Sequence, residues 1–128
     1  MGLFLSRLII EDITDSVWKL HQPLVFFSDV LGRIEVPKDF YTDLASVPKV
    51  PFVYEAWGNR SHYEAVVHDY LYRIDSVPQA TREEADDIFL EAMAARGKSL
   101  TVRKPMHWGV RLGGWTSYHK RKVADVLE

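Results

Sequence analysis

The sequence predicts an α+β fold, with a small N-terminal antiparallel sheet followed by three helices, two of them an antiparallel pair. Three observations lead there. The first half holds short runs of β-branched and aromatic residues broken by turn-forming dipeptides. The second half carries two helix-start signatures, Ser61 with Glu64 and Thr81 with Glu84. Pro78 stands between them and keeps the two helices from being continuous.

Taken in order, the runs "RLIIEDIT", "SVWKLHQPLVFFSDV" and "GRIEVPKDFYTD" give two or three antiparallel strands, with Pro23 and Pro37 at strand ends or edges. Residues 43–60 hold two prolines and a glycine, show no lasting period, and read as an ordered loop. The first capping box opens a helix over 61–74 and the second a helix over 81–96, stopped by Gly97. A third helix, over 105–120, starts at Pro105, a residue suited to a first turn. Gly109, Gly113 and Gly114 weaken it or allow close packing. No repeat or linker divides the chain, so residues 1–128 read as a single domain.

Composition removes several classes of function. With 47% hydrophobic and 27% charged residues, the composition is that of an ordinary globular protein and argues against disorder. A net charge of -2 supplies no global basic field, and no nucleic acid is expected as a partner. The C-terminal third is locally basic, through Arg103, Lys104, Arg111, Lys120, Arg121 and Lys122; a solvated helix face explains this as well as a phosphate contact does. The absence of cysteine excludes disulfides, a thiol nucleophile and thiolate zinc sites. Any metal would be held by His, Asp, Glu or backbone oxygens, which favours calcium, magnesium, manganese or a His/carboxylate zinc site. The apolar start "MGLFLSRLII" is too short to span a membrane and has no basic stretch before it, so the expected location is the cytoplasm.

The chemistry centres on "AVVHDYLYRID", residues 65–75. At 100° per residue, Tyr63, Val66, Val67, Tyr70, Leu71 and Ile74 form the apolar side of the first helix. His68, Asp69, Ala65 and Tyr72 fall on the other side, which either faces water or builds a site. The second helix weighs on that choice. Its apolar arc is Ala85, Ile88, Phe89, Ala92 and Met93, and Asp86 lies inside it. A carboxylate in that position needs a partner, because burying it alone costs several kcal/mol. His68 and Arg73 are the candidates. With His68, Asp86 would fix the imidazole tautomer and leave the other nitrogen to act as base. With Arg73, it would be a structural ion pair.

Two resemblances follow from these residues. "FYTDLASVP", "AVVHDYLY" and "TREEADDIFLEAM", in this order, resemble a family of short proteins from tailed bacteriophages and prophages, known as domain of unknown function thirteen-fifty-three. That resemblance implies a phage or prophage setting, expression in a bacterial host and possible association with the virion, but no chemistry. Over about thirty residues, "HDYLY" followed by "ADDIF" is similar to the catalytic helices of small calcium-dependent phospholipases of the A(2) type. Carried over residue by residue, His68 would be the general base, Asp69 a calcium ligand, and Asp86 the residue that orients His68. Tyr72 would support that bond, and Phe89 matches the aromatic three residues after the Asp. The glycine-rich loop that completes the calcium site in those enzymes is absent. The segment before the helix offers Asp43, Thr42 and Ser46 instead. Asp43 would be either a substitute metal ligand or the cap of the turn before Pro48.

The resulting expectation is metal-assisted hydrolysis. His68 would deprotonate water while a divalent metal, most readily calcium, on Asp69 and Asp43 polarised an ester or amide carbonyl of membrane or cell-envelope material. Ser46, Ser61, Ser76, Ser99 and Ser117 all lack the context of a nucleophile elbow, which favours direct attack by water. His62 would be a second ligand or a surface residue, whereas His21, His107 and His119 read as structural. Trp57, Trp108 and Trp115 would line a groove or pack at an interface. The rival expectation is a non-enzymatic phage structural or assembly protein, such as a tail-tip component, in which His68, Asp69, Asp86 and Arg73 fix helix packing and the tryptophans dock a virion partner.

Overall fold

A computed structural model describes residues 2–43, 63–113 and 118–127. Six strands come first: β1 (Leu3–Phe4), β2 (Ile10–Thr14), β3 (Val17–Leu20), β4 (Leu24–Ser28), β5 (Gly32–Val36) and β6 (Tyr41–Thr42). Three helices follow, α1 (Tyr63–Leu71), α2 (Arg82–Ala95) and α3 (Leu100–Gly113). The α+β class and its order, strands before helices, are those the sequence predicts.

The strands form two antiparallel three-stranded sheets, in the orders β1-β4-β5 and β2-β3-β6. The run "SVWKLHQPLVFFSDV" holds two strands rather than one, because Gln22-Pro23 breaks it and sends its halves to different sheets. Pro23 stands just before β4 and Pro37 just after β5, where their missing N–H costs no ladder bond. The β3–β6 pairing continues beyond β6 through backbone bonds from Leu20 N–H to Phe40 C=O at 3.0 Å and from Asp39 N–H to Leu20 C=O at 2.9 Å.

Strand β5 alternates, with Ile34 and Val36 inward and Arg33 and Glu35 outward, as a strand with one solvated face must. Leu24, Phe26, Ile34 and Val36 form one side of the core, and α1 and α2 pack across this sheet. Glu91 on α2 ties the layers by accepting hydrogen bonds from Ser28 Oγ at 2.6 Å and Asp29 N–H at 2.8 Å.

Helix α1 departs from the amphipathic expectation. Every residue from Glu64 to Leu71 is buried, so it has no solvated side, while Ile74, expected in its apolar face, is 48% exposed. The helix ends at Leu71, and Ser61 of the first capping box lies outside the described residues. In the link to α2, Tyr70 Oη accepts from Val77 N–H at 3.0 Å and donates to Val77 C=O at 3.1 Å.

Helix α2 is capped at both ends. Thr81 Oγ1 accepts from Glu84 N–H at 3.1 Å, and the Glu84 carboxylate accepts from Thr81 N–H at 2.9 Å. At the other end Lys98 N–H reaches Met93 C=O and Gly97 N–H reaches Ala94 C=O, both at 3.0 Å. This closure needs a left-handed residue, supplied by Gly97 at φ 80°. Thr81→Ala is expected to lower stability by about 1 kcal/mol in chemical denaturation, the usual worth of an N-cap; no change would mean that packing alone sets the helix start.

Helix α3 begins at Leu100, five residues before the expected Pro105, and its described part ends at Gly113. Ser99 C=O accepts from Val102 and Arg103 N–H at 3.0 and 2.9 Å, so the turn starts there. Pro105 then sits one turn inside the helix, where its missing N–H leaves one bond unmade. The expected loop over 43–60 lies outside the described residues apart from Asp43.

Candidate active site

Asp86 is on α2 and has no exposed surface. Of its two candidate partners, His68 and Arg73, it takes His68 on α1, also fully buried, with Nε2 2.7 Å from Asp86 Oδ1. Tyr72 Oη donates to the same oxygen at 2.5 Å. The other oxygen, Oδ2, accepts from Arg111 Nη1 of α3 at 3.2 Å, with Arg82 Nε at 4.0 Å. Arg82 itself is held by the C=O groups of Val110 and Arg111, which locks the end of α3 onto α2.

The electrostatics follow from these contacts. Burial alone would push the Asp86 carboxyl up, but the hydrogen bond and charge of His68, with the Tyr72 and Arg111 bonds, outweigh it and lower its pKa. Asp86 is therefore an ionised acceptor, and Nε2 of His68 must carry the proton in their bond. Burial, followed by the bond to Asp86, pushes the Tyr72 phenol up, so it stays a neutral donor. The imidazole is wedged between rings, with its centroid 4.2 Å from Tyr72 and 4.9 Å from Phe89. Hydrogen bond and ring packing together leave it one orientation.

Asp69 points into a different group. Its Oδ2 accepts from Thr42 Oγ1 and from Arg73 Nη2, the latter at 3.0 Å. Arg73 is also buried, donates to Tyr41 C=O at 3.1 Å and lies 4.9 Å from the centre of the Phe40 ring. The Arg73–Asp86 pair weighed from the sequence does not form, because Arg73 is committed to Asp69. Asp43 accepts from Arg121 Nη1 at 2.9 Å.

The C-terminal segment thus closes over the end of α1. His119 N–H bonds Tyr72 C=O at 2.8 Å, Ile74 N–H bonds Arg121 C=O at 2.8 Å, and Tyr118 Oη donates to Ala80 C=O at 2.7 Å.

The metal expected on Asp69 and Asp43 meets an unfavourable donor set. Each carboxylate already faces a guanidinium group, which a divalent cation would have to displace. No group of three or more potential ligands occurs among the described residues. These donors do not fit a divalent cation.

Structure thus brings His68, Asp86 and Tyr72 into one hydrogen-bonded chain and sets Asp69 and Asp43 in ion pairs beside it. Arg111 and Arg82 are additions that sequence reasoning missed. Arg111 belongs to the basic run read as a solvated face or phosphate contact. Two of the histidines read as structural stand beside carboxylates: His21 Nε2 is 3.0 Å from Glu11, and His107 Nε2 is 3.1 Å from Asp87. Trp108 is 64% exposed, whereas Trp57, Trp115, His62 and Ser46 lie outside the described residues.

Residues 18–110, which include all of α1 and α2, match the family model described as protein of unknown function DUF1353. The chain belongs to this family. No curated protein and no solved structure matches it. For this DUF1353 protein, functional inference rests on the site itself. Among the described residues no helix is long and apolar enough to cross a membrane.

Proposed function

We propose that this DUF1353 protein is a small phage- or prophage-encoded hydrolase that acts on ester or amide bonds of membrane lipid or cell-envelope material, with His68 as its general base. The observation that carries the reading is the 2.7 Å bond from His68 to Asp86, backed by Tyr72 on the same oxygen. Arg111 and Arg82 offset the Asp86 charge. His68, held to Asp86 through Nε2, takes the proton from the water that attacks the carbonyl and returns it to the leaving alkoxide or amine. Asp86 and Tyr72 are positioning residues, since they reach the reaction only through His68. The phage setting rests on the resemblance of the three motifs to phage proteins.

The test is hydrolysis of phospholipid vesicles and peptidoglycan by purified protein, with and without added calcium so that metal dependence is read separately. His68→Gln is expected to reduce turnover by ~10²–10⁴-fold while circular dichroism and thermal unfolding show a retained fold. A wild-type protein inactive on both substrates, or a variant that keeps its rate, removes the reading.

One observation favours a second reading. His68 and Asp86 have no exposed surface, and Asp69 is only 5% exposed. That is the arrangement of a polar network that fixes helix packing in a non-enzymatic phage structural or assembly protein, such as a tail-tip component. It predicts that His68→Gln chiefly destabilises the chain and that neither substrate is cleaved.

A further inference from the structure

Charge is divided along this chain. Residues 98–124 hold seven Lys and Arg and no Asp or Glu, whereas residues 1–97 hold nine against sixteen. Two exposed surfaces lie on opposite sides of that division. On α3, Leu100, Lys104, Trp108 and Leu112 recur every four residues and form one stripe. Leu100, Trp108 and Leu112 are 57%, 64% and 69% exposed, and Lys104 is exposed and makes no ion pair among the described residues. A cavity of about 350 Å³ lies on this face, lined by Lys104, His107, Trp108, Arg111 and Leu112.

The complementary surface is the β2 edge. Strand β2 is the outer strand of its sheet, and among the described residues nothing pairs with its far side. Ile9 and Ile13 are 47% and 39% exposed, and residues 11–16 are all exposed. Asp12 and Asp15 form no ion pair among the described residues. Exposed apolar side chains framed by unpaired charges of one sign mark an interaction surface more than a merely solvated one. Here one such surface is cationic and the other anionic.

We propose that the α3 stripe of one molecule docks the β2 edge of a second copy of this chain, with Trp108 and Leu112 against Ile9 and Ile13, and Lys104 against Asp12 and Asp15. The two surfaces are different patches, so the contact is head-to-tail. It leaves one free α3 stripe and one free β2 edge on every dimer and therefore propagates to a ring or a filament.

Sedimentation equilibrium on the full chain tests this, at low and at high salt. The wild type is expected to associate, and more weakly at high salt, because the charged rim is screened. Lys104→Gln with Trp108→Ser, and separately Asp12→Asn with Ile13→Ser, should each weaken association at least ~10-fold. Mixing these two double variants should restore a 1:1 complex that grows no further, since each supplies the surface the other lacks. A wild type that stays monomeric across the concentration range overturns the proposal, even if its α3 face binds anionic vesicles instead. So does association that survives either double variant, or a mixture that fails to recombine. Neither variant alters His68, Asp86, Tyr72 or Arg111, so this result and the hydrolysis assay are read independently.

Discussion

Asp86→Ala is expected to lower the stability of the protein by about 3–5 kcal/mol, the usual consequence of removing one member of a buried ion-paired group. The reason lies in what remains. His68 Nε2 and the Tyr72 hydroxyl would lose their acceptor in a fully buried site, and Arg111 and Arg82 would face each other without the carboxylate between them. For a chain of 128 residues the loss corresponds to a fall in Tm of roughly 10–20 °C, measurable by calorimetry. Asp86→Asn makes a sharper control. It keeps the volume and one acceptor oxygen for His68 and Tyr72, but turns an amide donor toward the two guanidinium groups. It should therefore fall between wild type and Asp86→Ala. An Asp86→Ala variant that melts with the wild type would mean that the contacts around Asp86 do not hold the helices together.

Phe26→Ala should be of similar size, about 3–5 kcal/mol, but for a different reason. Phe26 lies fully buried on β4, the central strand of its sheet, with the Phe4 ring of β1 4.6 Å away centre to centre. The chain approaches so closely here that a Cβ on Gly2 would stand 2.4 Å from the Phe26 ring. Truncating Phe26 removes the surface against which both the N-terminal strand and α2 pack, and the backbone-paired sheet cannot collapse fully into the space. Denaturant unfolding measures the loss. A cost under ~1 kcal/mol would show that the neighbouring side chains refill the site.

These two residues also show what the sequence could and could not reveal. Asp86 was legible because a carboxylate inside an apolar helical arc violates the helix's own pattern, and short-range geometry then offered His68. The choice between His68 and Arg73 was not legible. Arg73 is taken by Asp69 and the Tyr41 carbonyl, and Tyr41 arrives from a strand that precedes α1 in the chain. Arg111 escaped for a similar reason, since nothing local distinguishes it from the other cations of a basic run until α3 crosses α2. Periodicity also failed on α1, where the assumption of a wet side does not hold because sheet, α2 and the C-terminal segment enclose the helix. Caps were read more reliably, as at Thr81 and Gly97, since their chemistry is local. Pro105 misled because its preference for first turns was weighed without Ser99, where the turn starts.

The site's bonds differ widely in the length of chain they close. His68 and Asp86 are 18 residues apart, while Arg121 and Asp43 are 78 apart. Loop-closure entropy makes the longer link costlier by about 1.3 kcal/mol if the rest of the chain is still unfolded. The helical hairpin that joins His68 to Asp86 therefore has the entropic advantage in time as well as in free energy: it can assemble from local contacts, while the C-terminal strap over α1 depends on partners that must first be brought together. Folding rates should accordingly respond to changes in the hairpin, and unfolding rates to changes in the strap.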